Sequence, residues 1–234
     1  MGDAACGQSG ISSANEGPHV YRFTVNSAGT RLVAIGNFTA PHPRAYMVDL
    51  TTTASSLDPW YYQPLSNRCL AASAYPAYLR DVDFAPDGQH FEIAATGYVP
   101  ADSTGINRDI CDAVARFPTT HNPLTADAPD WINYTGGDTL HSVVDTGSVV
   151  YVNGHNRWLD NPYGKDTCGT SLHPGCSPRP GIGAIDPATG HALAWNPGET
   201  RGVGGKDLLS TTSGCGSPPT ASTSPGNTTT ASPS

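Results

Sequence analysis

Residues 21–38 (YRFTVNSAGTRLVAIGNF), 79–97 (LRDVDFAPDGQHFEIAATG) and 140–155 (LHSVVDTGSVVYVNGH) can be laid over one another, and their common pattern decides the fold. Gly29, Gly88 and Gly147 fall at a constant interval of 59 residues, and seven positions after each comes a small residue, Gly36, Ala95 or Gly154. The apolar positions keep the same interval: Val25, Phe84 and Val143, then Leu32, Phe91 and Val150, then Ala34, Ile93 and Val152. Within each stretch they alternate two by two, which is the period of a β-strand with one buried face. A short turn closed by glycine separates the two halves and supplies the positive φ that a tight hairpin needs. Each stretch reads as one antiparallel hairpin.

Each hairpin is followed by a third apolar segment, 46–50, 113–117 or 182–186, and then by a tryptophan: Trp60, Trp131 or Trp195. Four short strands per unit of about 60 residues is the build of a β-propeller blade. Helical periodicity is weak throughout, against a barrel or doubly wound sheet with long amphipathic helices. A β-sandwich fits the strand content but not the strict interval. The expected fold is all-β: a partial β-propeller of four-stranded antiparallel blades, about three of them plus the first strand of a fourth near Leu208 and Leu209. The tryptophans, recurring once per unit, are expected to pack between blades. The organisation expected is an irregular segment at 1–19, the partial propeller at 20–214 and a disordered Ser/Thr/Pro-rich linker at 215–234, since 216–234 carries no charge and no aromatic residue. An open arc leaves a strand edge and an apolar blade face uncovered, so missing blades or a second copy are expected to close it.

Composition narrows the function. Of the 234 residues only 14% are charged, Gly (26) and Pro (21) are abundant, and the net charge is −8. That balance argues against nucleic acid, whose phosphates demand basic patches. It also argues against docking on anionic lipid. No apolar run approaches the ~20 residues of a membrane-spanning helix. The six cysteines include no CxxC pair, which favours disulfides in an oxidising compartment over zinc. The expected location is extracellular or at the cell surface. Because the opening Met-Gly-Asp-Ala-Ala-Cys lacks a signal peptide, the N-terminus reads as incomplete.

In a four-stranded unit, the connector into each first strand and the loop after each second strand emerge at the same end, because alternate strand ends share a side. The loops after the second strands lengthen along the chain, from 38–44 to 98–112 to 155–181, and long loops on a rigid scaffold are where binding concentrates. Cys69 lies in one such connector and Cys111 closes one such loop, so topology predicts a Cys69–Cys111 disulfide. Cys168 and Cys176 share one loop and are close enough to bridge. Cys6 and Cys215 remain as a third pair. The best-furnished loop holds His155, Arg157, Trp158 and Asp160, with Asp138 and His141 just upstream at the same end. An aromatic platform, a guanidinium and several hydrogen-bonding groups suit a glycan or a protein surface. The competing reading is that these residues order a long loop and brace a connector.

Enzyme signatures are thin: there is no GxSxG, HExxH or P-loop. Asp81 and Asp83 point to one side of a strand and could be taken for a glycosidase's carboxylate pair, with strand-end hydrogen bonding as the plainer role. No cofactor is expected. The singly scattered histidines do not suggest a metal site, although the loop carboxylates Asp102 and Asp160 could hold structural calcium without any supporting motif. Glycosylation sequons begin at Asn37, Asn133 and Asn227.

The segments RLVAIGNF, RDVDFAPDG, WINYTGGDTLHSV, VYVNGHNRWLDNP and RPGIGAIDPATGHALAWNPG together resemble secreted bacterial β-propeller proteins with delta-60 or WD40-like repeats, often found with PKD modules. The resemblance spans about residues 20–209 and implies an extracellular propeller. It transfers no activity to particular residues. Three functions stay open: a non-catalytic extracellular binding or scaffold module, a carbohydrate-active enzyme (glycoside hydrolase or polysaccharide lyase), and a truncated product of a longer propeller gene.

Overall fold

The computed structural model describes residues 18–66, 69, 79–97, 109–123, 127–162, 175–202, 204–211 and 214–216. Calls on Cys6, Asp102, Cys168 and the 217–234 tail fall outside these residues. The described chain is all-β. Strands β1 (Val20–Val25), β2 (Arg31–Gly36), β3 (Ala45–Leu50) and β4 (Ser55–Leu57) form one antiparallel meander. Strands β5 (Leu79–Phe84), β6 (His90–Ala95), β7 (Ala113–Pro118) and β8 (Trp131–Tyr134) form a second of the same order. The third sheet holds β9 (Leu140–Asp145), β10 (Val150–Gly154) and, across a long loop, β13 (Ile182–Ile185). That loop is itself pinched by β11 (Trp158–Leu159) pairing with β12 (Ser177–Pro178). Among the described residues no helix is long and apolar enough to cross a membrane.

The hairpins form where alternation meets a glycine turn. Asn26 N–H donates to Arg31 O and Ala85 N–H to His90 O, with Gly29 and Gly88 at φ +67° and +68° inside the turns. The third turn is two residues shorter, Thr146 N–H donating to Val149 O. Val25 pairs with Leu32 and Phe84 with Phe91, but Val150 pairs with Asp145. Val143, expected opposite Val150, sits opposite Val152 instead. A slip of two residues returns every side chain to its original face, so the core pattern survives.

The sheets stack face to face. Val33, Ile35 and Met47 of the first sheet meet Val82, Phe91, Ile93 and Phe117 of the second. Trp60, fully buried, fills the gap edge-on to Phe91 and Phe117, at ring-centroid distances of 5.0 and 5.4 Å. Cys69 and Cys111 lie in the same core and are joined by the expected disulfide. The second interface is smaller and partly ionic. Ala94 and Val114 face Leu140, Val143, Val150 and Val152. Beside them a buried Arg116 donates to Glu92 Oε1 (2.5 Å) and Asp145 Oδ2 (2.7 Å). Burial, reinforced by Asp145, pushes the Glu92 carboxyl well up.

Along one edge of the stack β1, β5 and β9 run beside one another. Asp81 and Asp83 accept the backbone N–H groups of Val143 and Asp145, both at 3.0 Å. Arg22 of β1 pairs with Asp81 (3.5 Å) and with Asp207 (3.1 Å).

Three expectations are corrected. Among the described residues the third unit has no full fourth strand: beyond β13 only a single bridge, Ile185 to Ala192, forms before Asn196-Pro197-Gly198 turns the chain away. Trp195 accordingly packs edge-on against Tyr151 of its own sheet and stays 43% exposed, rather than sitting between sheets. The strand expected near Leu209 is half of a short hairpin, β14 (Leu209–Thr211) with β15 (Gly214–Gly216). At the other end of the stack, Phe23 (62% exposed), Val25 (41%) and Leu57 (48%) leave the outer face of the first sheet apolar and open.

Candidate functional site

The connector into β9 begins with Thr135-Gly136-Gly137-Asp138, where both glycines have positive φ. The turn is tied by Thr135 Oγ1, which donates to Asp138 O and accepts from Asp138 N–H (3.2 Å). Gly136 admits no side chain, since a Cβ there would lie 2.1 Å from Asn161 Nδ2. The turn aims the buried Asp138 carboxylate at the loop that leaves β10. Its Oδ2 accepts from Arg157 backbone N–H (3.1 Å) and Nε (2.8 Å), and its Oδ1 from Arg157 (3.1 Å) and Arg201 (2.8 Å). Arg201 also reaches His155, donating to its backbone oxygen (3.0 Å) and lying 3.1 Å from Nδ1. Asp138, His155 and Arg157 thus meet, as their shared end of the sheet requires.

His141 stands beside this group on β9. Lys206 Nζ lies 3.2 Å from its Nε2. Burial first, then the charges of Lys206, Arg80 and His155, bring the imidazole down to about 4. At neutral pH it is uncharged and accepts a hydrogen bond from the lysine ammonium at Nε2, which leaves the ring's own hydrogen on Nδ1. Trp158 is half-buried opposite Pro178, and its Nε1 has no hydrogen-bond partner among the described residues.

Asp160 belongs to a separate cluster. It has φ +55°, and its carboxylate accepts from Asn133 Nδ2 (2.7 Å), Ser177 Oγ (2.9 Å) and Ala192 N–H (3.1 Å), with His191 Nδ1 at 3.3 Å. These donors use the lone pairs that a calcium ion would need, and no cluster of three or more metal-ligating side chains occurs among the described residues. Asn133 is buried in the same network, so its sequon is closed in the folded chain.

The Asp81–Asp83 pair faces β9, not a cleft. Burial raises Asp81 to about 6 and Asp83 to about 7, while hydrogen bonds from Val143 and Asp145 pull them back. Cys176 is disulfide-bonded; the Cys168–Cys176 and Cys6–Cys215 pairings lie outside the described residues.

Sequence reasoning missed Arg80, Arg201 and Lys206. The last two are brought in by glycine. A Cβ on Gly204 would lie 2.0 Å from Gly154 O, and one on Gly205 would lie 2.3 Å from Asn153 Nδ2. The bare backbone therefore presses onto the end of β10 and carries its flanking cations to the connectors. The signal was present in Arg201-Gly-Val-Gly-Gly-Lys206, two cations bracketing a glycine run.

No family model matches the chain, and no curated protein matches it. Among solved structures it is similar to hydrazine synthase from Kuenenia stuttgartiensis, at 15% identity and a TM-score of 0.31. The match covers 58% of this chain and 38% of that one, so this chain spans well under half of that protein's length.

Proposed function

We propose that the chain is an extracellular binding module without catalytic activity, built as an arc of a β-propeller, which recognises a glycan or protein at the end of its sheets where connectors and long loops meet. One observation carries this reading. The carboxylates that could serve acid–base chemistry are each engaged by fixed donors: Asp138 by two arginines, Asp160 by three hydrogen bonds, Asp81 and Asp83 by the backbone of β9. A general acid or base must reach a substrate proton. At that end Lys206 is exposed and Trp158 half-exposed, a cation and an aromatic ring suited to recognition. The buried disulfide supports an oxidising, extracellular setting. The propeller reading rests on the side-by-side inner strands and on matching registers, since Val20–Gly36 and Leu79–Ala95 are equivalent pairs.

In this reading Arg157 is not a free fork for a ligand, because Asp138 holds it, and Trp158 is the contact residue of the loop. Screening the whole chain on arrays of extracellular glycans and proteins tests it, together with mass spectrometry of each bound ligand for cleavage. Trp158→Ala should weaken binding by about 1–3 kcal/mol with the melting temperature little changed. A loss of stability with affinity intact would assign Trp158 to loop packing. Turnover of any ligand would overturn the non-catalytic reading.

A further inference from the structure

Four consecutive inner-edge segments each place one polar side chain around a single locus: Tyr21 on β1, Arg80 on β5, His141 on β9, and Lys206 just before β14. Two contacting pairs make it up. Arg80 donates to Tyr21 Oη at 3.1 Å and its guanidinium lies 5.8 Å from that ring's centroid, and Lys206 reaches His141 Nε2 at 3.2 Å. The alignment is rigid, because the residue after Arg80 accepts a backbone N–H from β9 two residues beyond His141.

The charges at this locus are unbalanced. Arg22 is neutralised by Asp81 and Asp207, and Arg157 and Arg201 by Asp138. Among the described residues Arg80 and Lys206 have no carboxylate partner, and Arg80 Nε is buried with no acceptor. The cations acting on His141 are Lys206 and Arg80, and both oppose its protonation. Two cations held about a neutral imidazole, in a chain of net charge −8, repel one another, and a bound anion would relieve that repulsion.

We propose that Arg80, His141 and Lys206 form an anion site that takes a carboxylate or sulfate group of an acidic polysaccharide. This rests on the binding-module reading and names its ligand class. The sugar is favoured over an acidic peptide because the half-buried rings of His19 and Tyr21, 5.8 Å apart, lie beside the cations, and a grouping of aromatic and cationic side chains suits a pyranose that carries an acid group. Arg80 supplies a buried Nε–H, and Lys206 turns from the imidazole to the anion. His141 then accepts a proton and becomes a third donor. Anion binding is therefore linked to proton uptake at that ring.

The test follows the His141 ring by NMR in the full chain, in sulfate and in chloride at equal ionic strength. Sulfate should raise its titration midpoint by about one pH unit or more, and Lys206→Met, at an exposed position, should remove the difference. Identical titrations in the two salts overturn the site. Retention on immobilised polygalacturonate, compared with a neutral galactan, then identifies the source. The acidic polymer should be held, with affinity falling about tenfold in Arg80→Met and in Lys206→Met. A sulfate response without polymer retention means a site for free inorganic anions and overturns the polysaccharide assignment. Equal retention of the neutral galactan, unchanged in both variants, overturns the anion site while leaving the binding module standing.

Discussion

Replacing both Cys69 and Cys111 by alanine removes a cross-link whose two ends are 42 residues apart in sequence. In the chain-entropy treatment a loop of that size restricts the unfolded state by about 4 kcal/mol at 25 °C. Both cysteines are buried, so the missing sulfur atoms add a cavity term of the same sign. For a chain of this length each kcal/mol moves the melting temperature by roughly 2–4 °C, so the double variant should melt roughly 10 °C or more below the parent. Urea unfolding of parent and double variant gives the comparison, and the m-value should rise once the unfolded chain is released. If the double variant lies within about 1 kcal/mol of the parent, the bridge does not constrain the unfolded chain, and the entropic account of its contribution is refuted.

Four further outcomes are expected. Arg116→Met leaves Glu92 and Asp145 buried without their cation, and should cost about 3–5 kcal/mol in denaturant unfolding. Asp83 is held at about 7 in the fold against a usual value near 4, so its folded-state pKa is raised: its contribution is complete below about pH 4 and is lost as pH rises through 7. Asp83→Asn, which can still accept the Asp145 N–H, should flatten stability between those values and exceed the parent at pH 8 by about 1–2 kcal/mol. Gly190→Ala puts a Cβ 2.4 Å from the Trp131 ring at φ +72°, and should destabilise the second sheet's contact with the third by more than about 1 kcal/mol, read by thermal melting. With Phe23, Val25 and Leu57 exposed on one sheet face, the chain should self-associate in sedimentation and Phe23→Glu should disperse it; a parent that stays monomeric at high concentration would contradict this.

The strands were legible because two-residue alternation and a closing glycine act locally, within a dozen residues. The same local logic explains where reading failed. The shortened turn at 146–149 has a glycine in register with the others, so only the hydrogen bond from Thr146 to Val149 reveals the two-residue slip. Trp195 recurs once per unit as Trp60 and Trp131 do, but burial depends on a neighbouring sheet that this recurrence does not record. Part of the candidate site could be read, since loop topology brings Asp138 and Arg157 to one end. Arg80, Arg201 and Lys206 were missed, although the glycine run between the last two hinted at a close approach, because their placement depends on contacts between distant inner strands and on Gly204 resting against Gly154. Asp160 looks available in the sequence for a related reason: its donors, from Asn133, Ser177 and Ala192, are brought in only by the fold.

Backbone amide shift mapping of the full chain with a bound glycan or protein tests the central claim most directly, because it locates the contact without presuming the ligand's chemistry. Perturbations should fall on 138–141, 155–158 and 201–206, where the connectors and the loop after β10 meet. Perturbations centred on the opposite turns at 27–30, 86–89 and 146–149, with that end silent, would contradict it.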